Sequence, residues 1–305
     1  MLPFCNLHCI MLMLPATARR SIKRRPSEAE VFLLNQKFWR LLMKNILPLH
    51  GGNLVYKSVG KDDADTIFFC HSLGANQSLW DRQIEQLSHT YRIVSCDLRG
   101  HGESDIFSTP YSIEMLAKDI LALLDHLDIP SCHFVGLSLG SMIGLWLGAN
   151  APDRVKRMVL AGASAKVLNS GAFGKRISHI KQHGLTSMFT ELDTRWYADG
   201  FTTTHPLIVD AIRTMVAKTP IEGYVAATMA VRDFDITGQL PDITAPMLLI
   251  TGADDKATPL SEAKFISETC PNADLITLEN ASHLALVEKP KLFDDALVSF
   301  ITGSG

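Results

Sequence analysis

The residues of this chain best placed to do chemistry begin with a serine fenced by glycines. Ser138 stands in "GLSLG" (136–140), after the apolar run "SCHFV" and before "MIGLWL". A serine hydroxyl is a poor nucleophile until a base removes its proton. The pattern G-x-S-x-G marks one way of presenting it: a tight strand-to-helix turn whose small neighbours let the two elements pack closely. Such a serine needs an acid and then a histidine later in the chain, each after a late strand. "LLITGADDKATP" supplies Asp254 and Asp255, and "LITLENASHLALVEKP" supplies His283 in the loop before the final helix. His71 and His101 also lie at strand ends and compete as bases, while His179, His183 and His205 fall in a helical block. In this scheme the acid orients the imidazole, and the imidazole takes the serine proton and returns it to the leaving group. A developing oxyanion needs two N–H donors. Leu139 follows the nucleophile, and Leu73 in "FFCHSLG" lies after an early strand, with Ser72 the second choice there.

These residues must be held by strands and helices, and the hydrophobic pattern supplies both. Met43 begins "MKNILPLHGGNLVYKSVG", which reads as a domain's first strands. Strands are predicted over 52–60, 65–72, 91–97, 131–136, 155–164, 246–252 and 273–280, several as continuous apolar runs suited to burial on both faces. Helices are predicted over 78–88, 112–127, 141–150, 260–270 and 290–301. Between 165 and 238 the rhythm breaks into amphipathic helices, with Pro206 and Pro220 at the starts of two. Alternating strands and helices imply a mostly parallel, doubly wound sheet. The expected organisation is an N-terminal extension over 1–42, an α/β core over 43–164 and 239–305, and a helical lid over 165–238, above the carboxyl ends of the strands.

Composition narrows the class. The chain has 305 residues, 47% hydrophobic and 20% charged, with a formal net charge of −3. That is a globular balance with no overall attraction to nucleic acid or anionic lipid. The cysteines at 5, 9, 70, 96, 132 and 270 fit neither a disulfide scaffold nor a metal-ligand spacing; Cys70, Cys96 and Cys132, in or beside apolar strand-like runs, read as small buried apolar residues of a reducing, cytoplasmic protein. Apolar runs fall short of the roughly 18 to 20 residues of a membrane span. The first residues are apolar and then basic, the reverse of a secretory signal.

The motifs together resemble the α/β-hydrolase superfamily: "HSLG" (71–74), "DLRGHGES" (97–104), "GLSLG", "TGADDKATP" (251–259) and "ASHLALVEKP" (281–290). The resemblance implies an α/β-hydrolase fold with an inserted helical lid, and selects Asp255 over Asp254, because Gly-x-x-Asp-x-x-Thr-Pro places it where related sequences carry the acid. It implies a triad of Ser138, Asp255 and His283, and a structural role for the turn at 97–104. Within the superfamily, "NAPDRVKRMVLAGASAK", "TRWYADGF" and "EGYVAATMAVRDFDI" resemble the 3-oxoadipate enol-lactonases. That group opens a small enol-lactone bearing a carboxylate, in the cytosol and without a cofactor or metal. The resemblance therefore implies a small-molecule substrate and neither a nucleic-acid partner nor a membrane, and leaves the oligomeric state open. Arg195 would clamp the carboxylate and Trp196 would wall the pocket. The chain departs from the group at His71, where Asn is common, and at Ser141, where Gly is common. Two other readings use the same residues: another hydrolase of this scaffold (a carboxylesterase, a different lactonase or a carbon–carbon bond hydrolase), and a non-catalytic ligand-binding or receptor protein. Dehalogenases and epoxide hydrolases of this fold use an aspartate nucleophile, which Ser138 argues against.

Overall fold

Eight strands form one sheet in a computed structural model that describes residues 44–167 and 170–303. The extension expected over 1–42 lies outside the described residues. The strands are β1 (Asn45–Leu49), β2 (Gly52–Gly60), β3 (Thr66–Cys70), β4 (Arg92–Cys96), β5 (Cys132–Leu137), β6 (Val155–Ala161), β7 (Met247–Gly252) and β8 (Ala273–Leu278). Their spatial order is β1-β2-β4-β3-β5-β6-β7-β8. β1 pairs antiparallel with β2, and β2 with β4; every later pairing is parallel.

The apolar runs of β3, β5 and β7 are buried along their whole length because both faces of the sheet are covered. Side chains alternate between two cores, as the two-residue period of a strand requires. Phe68, Phe134, Leu160 and Leu249 enter one core, while Phe69, Val135, Val159 and Ile250 enter the other.

The helices are α1 (Asp81–Leu87), α2 (Ile113–His126), α3 (Leu139–Asn150), α4 (Ser170–His183), α5 (Phe189–Trp196), α6 (Phe201–Thr204), α7 (Pro206–Ala217), α8 (Ile221–Arg232), α9 (Leu260–Thr269), α10 (Ala285–Glu288) and α11 (Pro290–Thr302). Ser112 caps α2 by accepting from the Met115 N–H at 3.1 Å. Helices α4 to α8 occupy the interruption between β6 and β7. Lys166 and Asp235 form an isolated antiparallel bridge that brings the two ends of this segment together.

The short helices α6 and α10 are not expected from the pattern, and two predicted elements change in kind or extent. The helix predicted over 78–88 is a 3₁₀ turn, Gln77–Trp80, running into α1, with the Asn76 side chain accepting from the Ser78 N–H. The strand predicted over 155–164 stops at Ala161, because Gly162 takes a φ of 52°, a left-handed conformation incompatible with continued pairing.

Candidate active site

Ser138 sits between β5 and α3 with φ 55° and ψ −108°, a strained backbone for a residue with a side chain. The flanking glycines explain how that turn closes. A β-carbon on Gly136 would stand 2.5 Å from the Gly140 carbonyl carbon, and one on Gly140 would overlap the Cys70 carbonyl oxygen. Each glycine is therefore the space through which another backbone passes. The Ser141 hydroxyl, fully buried, donates to both the Gly136 carbonyl (2.9 Å) and the Ala161 carbonyl (2.7 Å), tying the turn to the end of β6.

Asp255 and His283 meet after β7 and β8. His283 Nδ1 lies 2.9 Å from Asp255 Oδ2. The other carboxylate oxygen accepts from the backbone N–H groups of Ala257 and Thr258, both at 2.8 Å, and Thr258 Oγ1 donates to Oδ2 at 2.8 Å. Burial alone would raise the Asp255 carboxyl, but the His283 charge and the bonds from His283 and Thr258 outweigh it and hold the group below its ordinary value. An ionised carboxylate only accepts, so the bond to Asp255 places a proton on His283 Nδ1 and leaves Nε2 on the far side of the ring from the carboxylate. Asp254 is exposed by comparison, its backbone bonded to Ala281 and Ser282.

Ser138 and His283 converge on the dipeptide Ala161–Gly162. The Ser138 N–H donates to the Ala161 carbonyl at 2.9 Å, and a β-carbon on Gly162 would lie 2.9 Å from His283 Cε1.

The competing histidines are buried; His101 Nδ1 lies 3.1 Å from the Arg99 carbonyl, while its Nε2 has no hydrogen-bond partner among the described residues. His71 Nε2 accepts from the Leu98 N–H at 2.9 Å, so its proton resides on Nδ1, which donates to the Ser72 carbonyl at 2.8 Å. Burial pushes His71 down to about 4, partly offset by that carbonyl, and pushes His101 down to about 3 with help from the His71 charge. The consequence reaches the turn after β3. Ser72 and Leu73 are joined by a trans peptide, in which C=O and N–H point opposite ways. With the Ser72 carbonyl engaged by His71 and by the Ala75 N–H, the Leu73 N–H is directed away from them. Leu139, first residue of α3, carries an N–H without an intrahelical partner.

Arg195 and Trp196 end α5, and hydrogen bonds to their carbonyls join them to both neighbours of His283. Ser282 Oγ donates to the Arg195 carbonyl at 3.1 Å, and the Leu284 N–H donates to the Trp196 carbonyl at 3.0 Å. The Trp196 side chain packs against an apolar lid cluster that also receives Leu73. Glu288 holds the same loop from below: its carboxylate accepts from the Ser282 N–H (2.6 Å) and the Ala198 N–H (2.8 Å).

Asp97 belongs to scaffolding. Its carboxylate accepts from the Gln77 and Glu103 N–H groups, at 2.8 and 2.9 Å, and closes the turn over 97–104. Motif reading passed over Thr258, Gly162 and Glu288. Thr258 and Glu288 do lie within the motif stretches, but only their contacts reveal what they hold. Asp255 also borders a cleft of about 630 Å³, whose walls include Phe201, His205 and Lys256 but neither Ser138 nor His283. Among the described residues, no group of three or more His, Cys, Asp or Glu side chains is arranged to hold a metal ion, and no helix is long and apolar enough to cross a membrane.

A serine on a strained turn at the end of a central parallel strand, with an aspartate–histidine pair after the last two strands, is the arrangement of an α/β hydrolase. The chain belongs to the α/β-hydrolase fold family, whose profile matches residues 65–290. It is 35% identical to 3-oxoadipate enol-lactonase 2 of Acinetobacter baylyi over 254 residues, covering 83% of this chain and 95% of that one. Among solved structures, a hydrolase from Pseudomonas aeruginosa superposes with a TM-score of 0.81 at 33% identity, covering 85% of this chain and 98% of that one. The enol-lactonase from Burkholderia xenovorans superposes with a TM-score of 0.82 at 29% identity, covering 85% of this chain and all of that one (100%).

Proposed function

We propose that this protein is a serine hydrolase that opens a small, carboxylate-bearing enol-lactone of the 3-oxoadipate type through an acyl-enzyme. The observation that carries the reading is the 2.9 Å pair of Asp255 and His283, whose imidazole shares the Ala161–Gly162 dipeptide with Ser138. The likeness to enol-lactonases, which extends through the lid segment, supports the choice of substrate.

In this reading His283 Nε2 takes the Ser138 proton as Oγ attacks the lactone carbonyl. The oxyanion accepts from the N–H groups of Leu139 and Leu73, each contributing roughly 3 to 4 kcal/mol to the transition state. Collapse breaks the ring C–O bond. The leaving group is an enolate, more stable than an alkoxide; it takes the proton held by His283 to become a ketone, which returns the imidazole to its neutral form. His283 then activates a water molecule that attacks the Ser138 ester and releases a 3-oxo dicarboxylic acid. Asp255 stays ionised and stabilises the imidazolium. Arg195 receives the substrate carboxylate, and Trp196 walls the pocket.

The test is hydrolysis of 3-oxoadipate enol-lactone, followed by loss of its ultraviolet absorbance, beside p-nitrophenyl acetate. Turnover of the lactone well above that of the ester is the expected result. Efficient ester cleavage with an inert lactone would replace this reading with a carboxylesterase. Failure of both substrates, together with no labelling of Ser138 by a fluorophosphonate, would favour a binding protein.

A further inference from the structure

Two arginines of the lid are close enough for their charges to oppose each other: Arg176 on α4 and Arg195 on α5. Arg176 Nε is buried and has no hydrogen-bond partner among the described residues. Tyr224 on α8 is wholly buried, and its hydroxyl also lacks a partner there. That hydroxyl lies within electrostatic reach of both guanidinium groups. The Tyr224 ring rests on the oxyanion turn, where a β-carbon on Gly74 would stand 2.9 Å from Cε2. Leu73, Trp196 and Tyr224 share one apolar cluster, and α4 packs on α8.

Such a group is costly without an anion. Burial and the Arg176 charge both lower the Arg195 guanidinium from its ordinary value. Its nearest carboxylate, Glu191, is 3.8 Å away and 56% exposed, so solvent screens most of that pairing. A buried hydroxyl and a buried guanidinium N–H left unpaired carry desolvation costs as well. A carboxylate entering here would offset all three, accepting charge-assisted hydrogen bonds from the arginines and one from the phenol.

We infer that Arg176, Arg195 and the Tyr224 hydroxyl form a two-armed carboxylate subsite beside the oxyanion turn. It rests on the lactonase reading for the identity of the carboxylate, and adds Arg176 and Tyr224 as specificity-determining residues. Because Tyr224 packs on Gly74, an anion bound there also lies against the turn that carries the Leu73 N–H. A lactone whose ring carries a short acidic arm fits this juxtaposition.

The test uses the full chain carrying Ser138→Ala and titrates adipate and its uncharged dimethyl ester by calorimetry. Adipate is expected to bind at least about tenfold more tightly than the diester, and Arg176→Gln to remove about that factor. Arg176→Lys keeps the charge but not the fork and should lose less, and Tyr224→Phe should weaken adipate severalfold. If Arg176→Gln fails to fold, the Lys and Phe variants decide the matter. Equal binding of adipate and diester, no binding of adipate, or variants that bind adipate as tightly as the parent would overturn the subsite. Enol-lactone turnover by the unsubstituted protein is measured separately. Absent turnover with Arg176-dependent adipate binding removes the lactonase reading and keeps the subsite; turnover with Arg176-independent binding does the reverse.

Discussion

The α-carbon of Gly162 faces the imidazole of His283 so closely that a β-carbon there would stand 2.9 Å from Cε1 and 3.0 Å from Nδ1. Gly162 also holds a φ of 52°, so a side chain would be strained as well as crowded. Gly162→Ala is expected to push the imidazole away from Ser138 and lower kcat by roughly a hundredfold, the scale of an ångström misplacement. Steady-state kinetics beside a urea unfolding curve check this; unchanged kcat in a folded variant would show that the imidazole does not work from this position.

Ser138→Ala should reduce turnover by roughly three to six orders of magnitude while leaving the melting temperature near that of the parent. The same variant should lose fluorophosphonate labelling. Near-normal turnover would remove the nucleophile assignment.

Arg195→Ala should raise the KM for a carboxylate-bearing lactone by about tenfold or more and leave a neutral ester almost unaffected. The comparison of the two substrates is the measurement. Equal effects on both would mean that the side chain supports packing and does not receive a charge.

His71 links fold stability to pH. Burial pushes it down to about 4 in the folded protein, against about 6.5 for an ordinary histidine. Between those values the unfolded chain binds a proton that the folded protein refuses, so stability falls as pH drops from about 6.5 to about 4. His101, 5.2 Å away ring to ring, acts in the same direction. Asp255 acts lower, because its depressed carboxyl costs stability only as pH falls below the ordinary carboxylate range. His71→Asn should flatten the slope by up to about 1.4 kcal/mol per pH unit in this window, read from urea midpoints at several pH values. Parallel slopes would exclude His71 from the linkage.

Gly140→Ala should destabilise the fold by at least about 2 kcal/mol, since its β-carbon would overlap the Cys70 carbonyl, which is backbone and cannot swing aside. A variant as stable as the parent would mean that the turn at Ser138 has room to relax.

Local order in the sequence was enough for the architecture and for the strand ends at which the candidate residues Ser138, Asp255 and His283 stand. Unbroken apolar runs such as "TIFFC" and "MLLITG" are strands buried on both faces, because only a doubly covered parallel sheet hides such runs. "GLSLG", "TGADDKATP" and "ASHLALVEKP" each mark a strand end, and strand ends in this topology gather on one edge. What motifs do not encode is contact between distant segments. That Thr258 braces Asp255, that Gly162 clears space for His283, and that Ser282 and Leu284 bond to Arg195 and Trp196 depend on loops from β6, β7, β8 and the lid packing together. Arg176 and Tyr224 lie 48 residues apart in ordinary amphipathic helices. Nothing in their spacing singles them out, because helical periodicity tells which face is apolar but not which charged or hydroxyl groups the packing leaves without a partner.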